Sequence, residues 1–272
     1  MKSIQNHLLA LFALLLVPLF SVNAQKLPST QKQSIHAPAN VKIDGKATEW
    51  GDKLQAYNHA TQIFYTVAND DKKIYLVVKA DKRQIINKII NGGISFTVIT
   101  NGKKDKEKGP TITFPVFTKL NHPSVNIEAM TEIKAGEPGA EKTKDSLLAI
   151  SNASLEEKAK FIRVNGIPDV DSLISIYNTD GIKARSALDD KLNYVIELSI
   201  NLTLLNLTSA DLKTFNYNIT LNGIEVDYIP GIDIAHDEAG NEIGTTITSS
   251  IASKYSGSTI PTDCWGIYTL AK

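Results

Sequence analysis

Short runs in which apolar and polar residues alternate are the feature that most constrains the fold of this chain. Successive side chains of a strand point to opposite faces, so this pattern predicts strands with one buried face. Two further runs, Ile74 to Ala80 and Tyr194 to Ile200, show the same alternation. The clearest run sets Phe215, Tyr217, Ile219 and Leu221 against Asn216, Asn218, Thr220 and Asn222.

Turn residues separate these runs and predict antiparallel pairing. The run around Ile63 to Val67 joins Ile74 to Ala80 through the polar turn Asn69 to Lys72, which predicts a hairpin. A strand from Ile94 to Val98 stops at Asn101-Gly102, and Trp265 to Leu270 is predicted to close the fold. Many short strands with few helices predict an all-β protein with minor α content, an antiparallel β-sandwich of jelly-roll or immunoglobulin-like type.

Helical spacing is confined to one stretch. Asp145 to Ile162 places apolar residues at helical intervals and contains a capping-box pattern at Ser154 and Glu157. We therefore expect one or two short helices in a crossover near residues 145–162.

The first residues have the pattern of a signal peptide. Lys2 provides a charged start, Leu8 to Phe20 is an apolar run, and Val22-Asn23-Ala24 suits cleavage. We predict a cleaved signal peptide at residues 1–24, a flexible lead-in at 25–39 and one β-sandwich domain at 40–272. The protein would then be periplasmic or secreted, without membrane insertion after cleavage, because no later stretch is long and apolar enough to span a bilayer.

Charge and cysteine content narrow the expected partners. Lys+Arg and Asp+Glu both number 29, and removing residues 1–24 takes away only Lys2, leaving 28 basic against 29 acidic residues. A near-neutral chain gives no electrostatic reason to expect nucleic acid or an anionic membrane as partner. The single cysteine, Cys264, excludes an internal disulfide, so the fold must depend on its apolar core.

Catalytic motifs are absent from the sequence. It contains no G-x-S-x-G, no H-E-x-x-H and no phosphate-binding glycine loop, and the four histidines after residue 24 show no ligand spacing. We therefore expect no enzyme activity. Paired carboxylates for glycoside hydrolysis cannot be assigned from sequence.

An acidic stretch leaves two interpretations open. Asp233, Asp237 and Glu238 offer carboxylate oxygens of the kind that bind calcium. A polar hairpin tip between Ile232 and Ile243 explains the same residues without a metal.

Aromatic residues could form a stacking surface for sugars, which bind flat on exposed rings. Of the two tryptophans, Trp50 is expected to plug the core and Trp265 to be buried in the closing strand. Tyr57, Tyr228 and Tyr255 fall in or near loops, where a tyrosine stacks on a ligand or packs locally.

Several motifs together resemble carbohydrate-binding modules of family nine, within the β-sandwich group that includes the DOMON domains. Residues 41–50, containing Ile43-Asp44-Gly45 and Glu49-Trp50, resemble the "I-D-G-x-x-x-E-W" start of that group. Residues 69–80 resemble its "D-x-x-x-L-Y-L" hairpin, and residues 194–204 and 265–270 its late strands. Residues 175–184 resemble a stretch found in a group of exported bacterial proteins. This resemblance does not point to any particular activity.

The resemblance implies a sugar site between two tryptophans, and neither is present here. The first position corresponds to residues 89–93 and the second to residues 255–260. The predicted ligand contacts are therefore Asn91, Tyr255 and Tyr57. A haem, as in some DOMON domains, would require Met or His ligands, and Met130 is the only methionine after Met1, so no cofactor is expected.

These observations leave two functional hypotheses. The first is a non-catalytic exported module that binds a carbohydrate or glycoconjugate near Asn91 and Tyr255. The alternative is an envelope module for protein–protein interaction or structure that keeps the fold but has lost sugar binding.

Overall fold

The alternating runs form two antiparallel sheets packed face to face, as predicted. The computed structural model describes residues 26–51, 54–100, 104–105, 109–118, 121–134, 136–208, 213–225, 232–248 and 257–272. The expected signal peptide at residues 1–24 lies outside this part of the chain. Of the helices in the described part, none is long and apolar enough to cross a membrane.

The described residues form thirteen strands, three α-helices and two short 3₁₀ turns. The helices are α1 (Arg83–Gly92), α2 (Ile127–Glu132) and α3 (Ala140–Lys158). The strands are β1 (Ala56–Asn58), β2 (Ile63–Asn69), β3 (Lys73–Ala80), β4 (Ile94–Ile99), β5 (Thr111–Phe114), β6 (Phe161–Asn165), β7 (Leu173–Ser175), β8 (Ile182–Leu188), β9 (Tyr194–Asn201), β10 (Thr214–Leu221), β11 (Ile232–His236), β12 (Glu242–Ile247) and β13 (Thr262–Thr269).

Two sheets make the sandwich and a separate hairpin stands beside them. The five-stranded sheet has the order β1-β2-β3-β9-β8, and the six-stranded sheet has the order β13-β10-β4-β5-β6-β7. All pairings within both sheets are antiparallel. The hairpin consists of β11 and β12. The predicted β2–β3 hairpin and the closing strand β13 are both confirmed.

The core lies between the inner faces of the two sheets. Tyr65 of β2 and Tyr217 of β10 meet there, with their hydroxyl oxygens 3.1 Å apart, and so link the sheets across the interior. The Tyr217 ring also covers Gly266 on the neighbouring strand, where an added Cβ would lie 2.0 Å from the ring carbon Cζ. Only glycine fits beneath that ring. This explains why position 266 holds glycine, although glycine is unfavourable inside a strand.

Residues 28–37 lie against the sandwich. The Gln31 side chain donates to the carbonyl of Val67 and accepts from its N–H, each at 2.7 Å. Val67 lies beyond the part of β2 that pairs with β1. The N–H of Asn69 donates to the carbonyl of Ile35, and the N–H of Ala37 donates to the carbonyl of Asn69. The sequence predicts residues 25–39 as a flexible lead-in ahead of the domain. In the structure, His36 forms one isolated parallel bridge with Asn69, so this segment contacts the five-stranded sheet.

A buried carboxylate fastens the next segment over the outer face of the five-stranded sheet. Glu197 of β9 accepts hydrogen bonds from the backbone N–H groups of Asp44 and Gly45 at 3.0 and 2.8 Å, and from the indole N–H of Trp50 at 3.0 Å. Burial raises the pKa of Glu197, and the three donors act in the opposite direction. The Trp50 ring packs against Tyr75, 5.8 Å between ring centres, so it serves as a plug over this face.

The helices differ from expectation in position and number. The crossover helix is present as α3, but it ends at Lys158 and is followed by strand β6. Helix α1 was not predicted, although Ile85, Ile86, Ile89 and Ile90 bury one helical face. Isoleucine is β-branched and favours strands, which concealed the helical spacing.

Candidate functional site

The outer face of the six-stranded sheet is lined with polar side chains in register across its strands. One row runs through Asn218, Thr97, Thr111 and Asn165 on β10, β4, β5 and β6. The adjacent row runs through Thr220, Ser95, Thr113 and Arg163 on the same strands. We call these two rows the polar face.

Hydrogen bonds between neighbouring strands hold the central part of the polar face in place. Ser95 and Thr113 share a hydroxyl–hydroxyl bond of 2.8 Å, and Thr97 and Thr111 share another of 2.8 Å. Thr220 donates to the side-chain oxygen of Asn218 at 2.6 Å. Four of these side chains are buried, and their hydrogen bonds hold the face in order beneath the groove: Thr97, Thr113, Asn218 and Thr220.

A groove of about 680 Å³ lies over this face. Its walls come from the end of α1, the segment after β5, strands β6 and β7, and the residues after β10. The lining residues are Asn91, Gly92, Ser95, Thr111, Thr113, Pro115, Val116, Phe117, Thr118, Arg163, Asn165, Ser172, Leu173, Asn222, Gly223 and Glu225. Asn91, predicted as a ligand contact, is thus part of the groove, where its side-chain amide donates to the carbonyl of Asn87 at 2.6 Å.

Two exposed side chains of β6 have unused hydrogen-bonding groups in the groove. In the described part of the chain, neither Arg163 nor Asn165 makes a side-chain hydrogen bond or ion pair. Among the described lining residues, Arg163 and Glu225 are the charged ones. These groups are the ones most available to a ligand.

Among the described residues, one aromatic ring reaches the groove, and it is partly buried. Phe117 packs on the core and on the imidazole of His122, 5.5 Å between ring centres. The Nδ1 atom of His122 lies 3.1 Å from the carbonyl oxygen of Pro123, while its Nε2 is buried without a partner in the described structure. Burial lowers the pKa of His122, so the neutral form is favoured beneath the groove wall.

The structure places Tyr57 away from Asn91. Tyr57 lies on β1 of the five-stranded sheet, where its ring contacts Phe64 and His59 at 4.6 and 5.1 Å, and it is not part of the groove lining. Its role as a ligand contact stays a prediction. Tyr255 and Tyr228 lie outside the described residues.

The acidic stretch forms a hairpin turn. Both carboxylate oxygens of Asp237 are used locally, accepting from the N–H groups of Ala239 and Asn241 and from the Asn241 side chain at 2.8 to 2.9 Å. These hydrogen bonds, with the side chain of Asn241 foremost, lower the pKa of Asp237. Glu238 is exposed at the tip, and the side chain of Asp233 is outside the described structure. The described residues contain no group of three metal-binding side chains, and the polar-hairpin interpretation accounts for Asp237.

A second cavity, of about 620 Å³, lies at the opposite sheet between residues 45–51 and the turn from β8 to β9. One of its acidic lining residues, Asp189, accepts hydrogen bonds from the N–H groups of Lys191 and Asn193 at 2.9 and 2.8 Å and from the Asn193 side chain at 2.7 Å. That carboxylate stabilises the turn. The groove on the six-stranded sheet is the stronger candidate site, because polar side chains in register across β4, β5 and β6 line it.

The described lining of the groove offers polar groups that can bind a ligand, and its acidic residue is Glu225. Hydroxyls, amides and one guanidinium supply both donors and acceptors to a ligand with many polar groups.

Sequence reasoning missed the residues on β6. The alternation Phe161-Ile162-Arg163-Val164-Asn165 was a usable signal, because Ile162 and Val164 point into the core and the other three point outward. It was obscured by assigning the stretch up to Ile162 to the helical crossover. Trp265 is also half-buried on the outward side of β13 beside Asn218, rather than in the core between the sheets.

Comparisons with known proteins add no relative. No model of a known protein family matches this chain, and no curated protein sequence matches it.

Proposed function

We propose that this protein is a non-catalytic, exported binding module whose groove on the six-stranded sheet holds a carbohydrate or glycoconjugate. The observation that carries the proposal is the part of the polar face on β4, β5 and β6, where hydroxyl and amide side chains line one groove. The expected signal peptide and the resemblance to family nine carbohydrate-binding modules support the same assignment from the sequence.

The groove matches the chemistry of a sugar. Its volume of about 680 Å³ lies within the usual range of small-molecule sites. A sugar ring presents hydroxyls that both donate and accept, and Asn91, Asn165 and Thr118 present complementary groups at the rim.

The groove lacks the stacking tryptophans implied by the family resemblance. Aromatic contacts contribute about 0.5–1.5 kcal/mol each beyond area burial, so their absence must be offset by hydrogen bonds or charge. We therefore expect binding that depends strongly on polar side chains and is sensitive to the loss of a single one.

A glycan array followed by calorimetry tests this proposal. The wild type should bind at least one plant, host or bacterial glycan, and Asn165→Ala should weaken that binding by about 2- to 10-fold, the effect of one net hydrogen bond. Asn216→Ala is the matched control, since Asn216 lies on the outward side of β10 and is not part of the groove lining. No binding across the array, or equal losses in both variants, would refute the assignment.

The second candidate function, contact with an envelope protein, is favoured by one observation. Ile267 on the edge strand β13 is 59% exposed, Ile260 just before that strand is 63% exposed, and Trp265 is half-buried on the same side as Ile267. A partner retained from a periplasmic extract in the presence of free sugar, and lost with Ile267→Ser, would support this function. Retention that Ile267→Ser does not change would exclude the β13 surface.

A further inference from the structure

We infer that the groove selects an acidic glycan, one with uronic acid carboxylates, and that Arg163 is the residue that recognises the carboxylate. This inference rests on the proposed function, because it specifies the ligand class of the same groove.

Arg163 lines the groove, and in the described part of the chain no acid pairs with it. Its cross-strand neighbours are Thr113 on β5 and Leu173 on β7, and the next outward residue along β6 is Asn165. None of the three carries a negative charge. In the described part of the structure, Glu225 is the one acid that lines the groove, and it makes no ion pair with Arg163.

The chemistry of a guanidinium explains why a carboxylate is the fitting partner. Arginine remains charged, offers a planar set of N–H donors and has no acceptor, so it pairs with carboxylate through two parallel hydrogen bonds. A neutral sugar supplies only single hydroxyl acceptors and leaves the charge uncompensated.

The surroundings of Arg163 favour recognition by charge over recognition by stacking. The described lining residues include one aromatic residue, Phe117, and that ring is partly buried against His122. The hydroxyls of Ser95 and Thr113 are already bonded to each other. Among the described lining residues, the guanidinium is the one cation, and neither it nor the Asn165 amide has a side-chain hydrogen-bond partner.

The test uses matched pairs of oligosaccharides that differ only in charge. Oligomers of galacturonate, glucuronate and mannuronate are each titrated beside their carboxyl-reduced counterparts. The tightest ligand should be an acid form, bound at least about tenfold more tightly than its reduced form, as expected for a charge-assisted hydrogen bond. Added salt should weaken binding of the acid form and leave the reduced form almost unchanged.

Substitutions then assign the preference to Arg163. Arg163→Gln should remove the tenfold difference, and Arg163→Lys should retain part of it, because lysine keeps the charge but not the planar donor pair. Arg185→Gln is the matched control: it removes the same charge from the outward side of β8, away from the groove.

The outcomes separate this inference from the proposed function. Binding of a neutral glycan that Asn165→Ala weakens and Arg163→Gln does not would overturn the inference and leave the proposed function standing. No binding of any glycan would overturn both. An acid preference that survives Arg163→Gln would show that another group recognises the carboxylate.

Discussion

Glu197 should contribute several kcal/mol to stability because one carboxylate satisfies three donors. Replacing it with alanine leaves the buried N–H of Gly45 without a partner, which costs about 1–3 kcal/mol. The N–H groups of Asp44 and Trp50 are partly accessible and can regain water, so each loss should cost about 0.5–1.5 kcal/mol. We expect Glu197→Ala to lower the free energy of unfolding by about 2–6 kcal/mol and Glu197→Gln by about 1–2 kcal/mol.

Ser199 is the matched control for this prediction. It lies two residues further along β9, on the same outward face, and is fully buried with a hydroxyl that has no partner. Ser199→Ala removes no hydrogen bond, so stability should stay within about 0.5 kcal/mol of the wild type. Urea unfolding followed by tryptophan fluorescence gives these values from midpoints at a common slope. Equal losses of unfolding free energy in Glu197→Ala and Ser199→Ala would refute the stabilising role of the Glu197 hydrogen bonds.

Three further predictions concern the interior. Gly266→Ala should destabilise by about 1–3 kcal/mol because its Cβ meets the Tyr217 ring, whereas Gly244→Ala, with nothing within 4 Å, should be nearly neutral in the same urea experiment. Burial raises the pKa of the Cys264 thiol to about 12, so the folded protein should resist a thiol reagent at mildly alkaline pH and react fully in guanidinium chloride; rapid reaction when folded would contradict its burial. Burial holds the pKa of His122 below 6.5, so the unfolded chain takes up the proton first as pH falls, and the folded state loses stability. His122→Phe should therefore reduce the drop in Tm between about pH 7.5 and about pH 5.5. An unchanged drop in Tm would refute this prediction.

The strands with strict alternation were predictable from sequence. In β10, Phe215, Tyr217, Ile219 and Leu221 lie in the core as the pattern required. The β2–β3 turn was also readable, because Asp70 accepts from the N–H groups of Lys72 and Lys73 at 2.7 Å, a standard role for aspartate in turns.

Helix α1 shows where local pattern was insufficient. Its isoleucines occupy helical positions, yet their β-branched side chains favour strands when read locally. Packing against the sandwich decides the outcome, as the burial of Ile86 and Ile89 shows, and tertiary packing is not visible in a short window of sequence.

The candidate site was only partly predictable. Asn91, a predicted ligand contact, lines the groove, whereas Arg163 became a candidate only when the β5–β6 register set it beside Thr113, fifty residues earlier in the chain. Strand register depends on long-range pairing, and no local signal in the sequence specifies which residues of two distant strands become neighbours.

Mapping of backbone amide shifts by NMR, during titration with the tightest oligosaccharide, tests directly whether the ligand binds in the groove. We expect the perturbed amides to cluster on β4, β5 and β6 and at the end of α1, with Thr113, Arg163 and Asn91 among them. The amides of β8 and β9 in the other sheet should remain unchanged. Shifts concentrated on β8 and β9, or around the cavity at residues 45–51, would contradict the assignment of the groove as the ligand site.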